Sequence, residues 1–185
     1  QLQYKPNKQL EIYTRYQSNS KAVNSNPGLH TLSPVVIQPR RNWRTQLNYK
    51  VNAVIMIRTR AEIVWFDKKG GTSEQGFLSY IDVLYKPLLN PLSGNFRLQY
   101  FETGGYNSRL YAYENDVLYH FSIPVFYDKG YRYYININYD INKKISLWGR
   151  WAQTIYRDKT LIGSGLDEIP GNTKTEIKLQ VLYKF

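Results

Sequence analysis

In the stretch YENDVLYHFSIP, residues 113 to 124, a histidine and a serine stand two apart at His120 and Ser122, with Glu114 and Asp116 just upstream. Residues two apart on a strand share a face, so an imidazole there could act as base for a hydroxyl. A lone pair of these types also arises readily without catalysis. The loop GSGLDEIPGN, 163 to 172, sets Asp167 beside Glu168 among backbone carbonyls, the oxygen donors that calcium takes. It lacks the acidic ladder of an EF-hand loop and reads as a glycine-rich turn. Gly70-Gly71 and Gly104-Gly105 read as turns too, since neither has the strand–helix surroundings of a phosphate-binding loop. Cysteine is absent, and His30 and His120 stand too far apart to suggest a histidine-rich metal site. No enzyme, cofactor or metal is expected.

Arginine is the richer resource. Arg44, Arg58, Arg60, Arg97, Arg132 and Arg150, with Glu62 among them, sit at alternate positions in segments that otherwise read as strands. The net charge is +11, but the basic residues form no run, and Arg40-Arg41 is their densest pair. A solvated face or a basic lumen is expected, and no nucleic-acid arm. Enclosed, such residues would attract anionic solutes into a pore or pack as ion pairs. An eight-stranded barrel has room only for side chains, which favours ion pairs.

The elements that must position these residues have period two. Eight segments qualify: 8–18, 41–51, 54–66, 76–86, 95–103, 131–141, 145–157 and 175–185. In the second, Trp43, Thr45, Leu47 and Tyr49 alternate with Arg44, Gln46, Asn48 and Lys50. The connections alternate between long and short, as when antiparallel neighbours put loops at one rim and tight turns at the other. No stretch approaches the roughly 18 apolar residues of a membrane-spanning helix, which leaves a transmembrane barrel open. The chain starts at Gln1, with neither Met nor a signal-like segment, and reads as a processed or trimmed product.

A soluble barrel would show the same alternation with its apolar side turned inward. Aromatic placement favours the membrane form. Tyr16, Trp43, Tyr49, Trp65, Phe77, Tyr85, Tyr131, Tyr139, Tyr183 and Phe185 lie toward the ends of apolar faces whose middles are aliphatic, as two lipid–water interfaces require. The stretch 104 to 130 is too aromatic for a flexible linker and is expected to fold over the mouth or along the wall.

The last strand, TEIKLQVLYKF, alternates to its end and closes on Tyr183 and Phe185. It resembles the C-terminal signal that outer-membrane proteins present to the barrel-assembly machinery. More broadly, LQYFETGGYNSRLYAYENDVLYHFSIPVFYDKGYRYYININY (98–139) and GSGLDEIPGNTKTEIKLQVLYKF (163–185) resemble the C-terminal barrel portion of Bacteroidetes-type outer-membrane proteins. Larger members of that group carry an N-terminal helix-hairpin-helix region, absent from this sequence. The resemblance implies an all-β, antiparallel up-and-down transmembrane β-barrel across 1–185, eight strands here or part of a larger barrel, with both chain ends at the periplasmic rim. It implies the bacterial outer membrane, with membrane lipid, lipopolysaccharide, the assembly machinery and other envelope proteins as partners. The expected role is a membrane scaffold in an envelope assembly with long extracellular loops. The alternative is a porin-like small-solute channel with a net basic, anion-favouring lumen lined by the six arginines and Glu62.

Overall fold

The computed structural model describes residues 1–24, 34–67, 71 and 73–185; His30 and Gly70 lie outside them. The strands are β1 (Leu2–Tyr4), β2 (Leu10–Asn24), β3 (Val35–Lys50), β4 (Ile55–Phe66), β5 (Glu74–Tyr85), β6 (Leu92–Thr103), β7 (Leu110–Tyr111), β8 (Val125–Phe126), β9 (Lys129–Asp140), β10 (Ile145–Tyr156), β11 (Leu161–Ile162), β12 (Ile169–Pro170) and β13 (Thr173–Tyr183). Nine of them form one sheet in the order β1-β2-β3-β4-β5-β6-β9-β10-β13, and every neighbouring pair is antiparallel. The fold is all-β and up-and-down.

Each of the eight expected segments falls on a long strand of this sheet. Three details differ. The sheet has a ninth strand, β1, whose three residues are too few to carry a period; it pairs Leu2 with Thr14 and so carries the first residues partway back up the wall, away from the rim. The strands β2 and β3 run on to Asn24 and from Val35, which shortens the first connection. Finally, no ladder among the described residues joins β13 to β1 or β2, so of the two expected forms, eight strands closing alone or part of a larger barrel, no closed barrel is seen and the sheet has two edges.

One device recurs at the tight-turn rim. Asn7, Asn52, Asn90 and Asn142 each stand two or three residues before a strand, and each side-chain carbonyl accepts from backbone N–H groups of the strand start. Examples are Asn52 Oδ1 from Val54 and Ile55, both at 2.8 Å, and Asn142 Oδ1 from Lys144 and Ile145 at 2.8 and 2.9 Å. Asn7 and Asn90 do the same for Leu10 and Leu92. A short amide that mimics a backbone turn is why asparagine suits these corners.

The two faces of the sheet differ in what they expose. On β5, β6, β9 and β10 the charged side is covered: Asp82, Arg97, Arg132 and Arg150 are each 2% exposed or less. The aliphatic side, including Ile81, Val83, Leu98, Ile135 and Ile137, is open. What covers the charged side is the segment between β6 and β9. It descends along that face, turns, and climbs back, pairing Leu110 with Phe126 and Tyr111 with Val125. Of the two courses expected for the 104–130 stretch, its part before β9 thus takes the one along the sheet, on the charged face.

Candidate functional site: the arginine-clamped inner hairpin

The descending leg is itself period two, burying Leu110, Ala112, Glu114 and Asp116 while Tyr111 and Tyr113 face away. Near the long-loop rim apolar residues of both legs join a cluster with residues of the covered sheet face: Leu110, Ala112 and Phe126 against Val64, Leu78, Tyr80 and Phe101. The Phe101 ring sits 5.2 Å from that of Phe126 and 5.8 Å from that of Tyr156. Gly76 makes the approach possible. A Cβ there would lie 2.3 Å from the Ser108 carbonyl oxygen and 2.9 Å from Leu110 Cδ1.

Charged side chains of the sheet hold the leg along its length. Odd-numbered carbonyls accept from guanidiniums of β3, β4 and β6: Asn107 from Arg40 at 2.7 Å, Tyr111 from Arg60 at 3.1 Å and Tyr113 from Arg97 at 2.8 Å. Arg97 also grips Asp82 through both ends, at 2.5 and 2.6 Å, and stacks 3.7 Å from the Tyr80 ring centre. Glu114 receives Arg132 in the same two-pronged way at 2.7 and 2.9 Å, and Arg150 joins it. Arg132 continues to Thr154 at 2.6 Å and Glu176 at 3.2 Å, which ties β9, β10 and β13 to the hairpin. Planar forks facing carboxylates give the strongest and most directional of such bonds.

At the tip, Lys178 reaches Asp116 at 2.6 Å and Asn136 donates to the Asp116 carbonyl at 3.0 Å. Burial by itself would raise the Asp116 carboxyl. The Lys178 and Val117 N–H hydrogen bonds and the field of Arg150 outweigh it and hold the group below the usual carboxylate range.

Of the seven residues expected to line an interior, Arg60, Glu62, Arg97, Arg132 and Arg150 are buried on this face. Arg44 pairs with Glu62 at 2.9 Å, and Arg60 shares the same carboxylate. Arg58 is the exception: its Nε donates to Asn48 at 3.2 Å, and no carboxylate among the described residues meets it. Tyr183 ends β13 at the tight-turn rim, its ring 5.2 Å from that of Phe185, and both are exposed. His120 pairs with Asp116 at 2.9 Å, whereas Ser122 meets the leg through its backbone, accepting from Glu114 N–H. Asp167 and Glu168 are exposed, and among the described residues no group of three or more acidic or histidine side chains is placed to hold a metal.

The sequence reading missed Glu114 as the counter-ion of two wall arginines. The signal was present, because LYAYEND alternates small or acidic with aromatic residues inside a stretch taken for a loop. Compared with known proteins, the chain matches no family and no curated sequence.

Proposed function

We propose that this chain forms wall of an outer-membrane β-barrel whose interior is filled by its own hairpin, and that it serves as a rigid membrane scaffold within an envelope assembly. The observation that carries this reading is the inverted burial, with aliphatic side chains open and arginines enclosed. Water penalises that arrangement and hydrocarbon favours it. Strand length agrees. The strands β4, β5, β6, β9 and β10 have 12 residues each, which at about 3.3 Å per residue and ~45° tilt cross roughly 28 Å. Aromatics flank the band, with Trp43, Phe77 and Tyr131 toward the long loops and Tyr49, Tyr139 and Tyr183 toward the turns.

Sheet edges have no place in hydrocarbon, so β13 and the β1–β2 edge must be joined there, to each other or to further strands. Side-chain exposure supports such a missing neighbour: Leu179 on β13 is 83% exposed, against 42% for Ile137 two strands in. In this reading Phe185 and Tyr183 serve as interface anchors and assembly signal, with lipid, lipopolysaccharide and the barrel-assembly machinery as partners.

The channel alternative rests on one feature, a basic bay of about 550 Å³ at the tight-turn rim where Lys5, Lys8, Lys50 and Arg58 face the single carboxylate Glu11. Planar-bilayer recording separates the two. The scaffold reading expects insertion without stable conductance, and ohmic steps only after 105–127 is replaced by a short Gly-Ser turn. Steps from the intact chain would favour the channel. Failure to insert into vesicles, with the protein soluble without detergent, would sink both.

A further inference from the structure

A second recess lies where the hairpin tip meets the wall near the tight-turn rim. It is an open recess of about 380 Å³, within the range of small-ligand pockets (roughly 300–1,000 Å³). Its lining differs in kind from the arginine clamp. Four asparagines, Asn95, Asn115, Asn136 and Asn138, line it together with the rings of Trp148 and Tyr119.

Three properties mark it as a site. The first is unspent hydrogen-bonding capacity. Asn136 is 5% exposed and its Nδ2 is committed to the Asp116 carbonyl, but its Oδ1 has no partner among the described residues. The same is true of Asn138 Oδ1 and Trp148 Nε1, both buried. Buried polar atoms are ordinarily paired, because leaving them bare is costly. The second is strain. Tyr119 holds a left-handed backbone (φ 64°) at the hairpin tip while its ring stands 87% exposed. A bulky residue in that conformation is uncommon and clusters at ligand clamps. The third is electrostatic balance. Lys178 is already bound to Asp116, as is His120, so the charges beside the recess are spent on one another.

That combination selects a ligand class. Among the described residues that line it, an anion finds no lysine or arginine other than Lys86 at the margin. An apolar ligand would leave the amides unpaired. A hydroxyl both donates and accepts, as an asparagine amide does, and the weakly polar C–H face of a pyranose ring suits a flat aromatic surface. We infer that this recess binds a short saccharide, with Asn138 pairing its hydroxyls and Trp148 and Tyr119 bordering the ring. The bare Asn138 oxygen reaches the ligand by rotation of its amide about χ2, while Asn136 keeps its Nδ2 on the Asp116 carbonyl and fixes the hairpin tip. This inference goes beyond the scaffold reading and does not depend on whether the apolar face meets lipid.

The test uses the full chain folded in detergent micelles, titrated calorimetrically with maltotriose and with tri-N-acetylchitotriose. The expected result is binding of at least one of them, weakened about tenfold or more in Asn138→Leu, the scale of one or two lost hydrogen bonds. Tyr119→Ala, whose exposed ring has no part in folding, is expected to weaken binding as well. Lys143→Gln, in the neighbouring turn, is expected to bind as the parent does. Loss of affinity in either cleft variant supports the inference. Absence of binding to both saccharides, or unchanged affinity in both cleft variants, overturns it.

Discussion

Glu114 lies on the descending leg with no solvent exposure, and its two oxygens are shared by Arg132 and Arg150 from neighbouring strands. Taking three charged groups out of water is expensive, and the geometry offsets that cost only while every member is present. In Glu114→Ala the two guanidiniums stay buried with Glu176, at 3.2 Å from one and 3.7 Å from the other, as their nearest remaining common carboxylate. The expected loss is about 3 to 5 kcal/mol of unfolding free energy, read from urea titration of the micelle-folded protein. Lys129→Ala removes a partner from an exposed pair with Glu102 and is expected to leave the midpoint in place. The wall half of this network was legible, since Arg132 and Arg150 stand at alternate positions in strongly periodic segments. Their counter-ion was not. It lies 18 residues from Arg132 and 36 from Arg150, and periodicity has no reach across space.

At the level of elements, the hairpin is held by a close approach as much as by charge. Gly76 lets the Ser108 carbonyl and Leu110 sit directly on β5. By contrast, a Cβ at Gly149 would meet only Leu179 Cδ2 at 3.7 Å, ordinary contact. Gly76→Ala should therefore push the hairpin off the wall at a cost of roughly 1 to 3 kcal/mol, leaving the nine-stranded sheet paired. Limited proteolysis checks this: new cleavage within 105–127 is expected for Gly76→Ala and not for Gly149→Ala, with the far-ultraviolet strand signal retained in both. Equal resistance in the two variants would mean that the arginines alone hold the hairpin. Strands were readable here because each carries several full periods. The hairpin was read as a loop because its paired elements, β7 and β8, are two residues each. The asparagine corners were equally visible in sequence as an Asn two or three residues before each of β2, β4, β6 and β10, a signal weaker than Gly or Pro and easily passed over.

For the whole molecule, consecutive long strands pair as neighbours, so the sheet order followed from the chain order. Alternation alone left open which face would be buried, and the joining of the edges left no trace in the pattern. Depth now gives a test of what surrounds the open aliphatic face. Leu98 lies midway along β6 and Leu92 at its tight-turn end, with nearly equal exposure, 47% and 43%. In water the two positions are equivalent, and an arginine at either would change stability little. In a bilayer they are not. An arginine at the midplane costs about 2 to 4 kcal/mol, whereas one near the interface costs roughly 0 to 1, because its long side chain reaches the headgroups. Leu98→Arg should therefore lower the unfolding free energy from phosphatidylcholine vesicles well beyond Leu92→Arg, and the gap should narrow in thinner, shorter-chain lipid as the midplane approaches water. Two equal penalties, unmoved by lipid length, would mean that the face meets water or another protein, and the enclosed arginines would then need a different explanation.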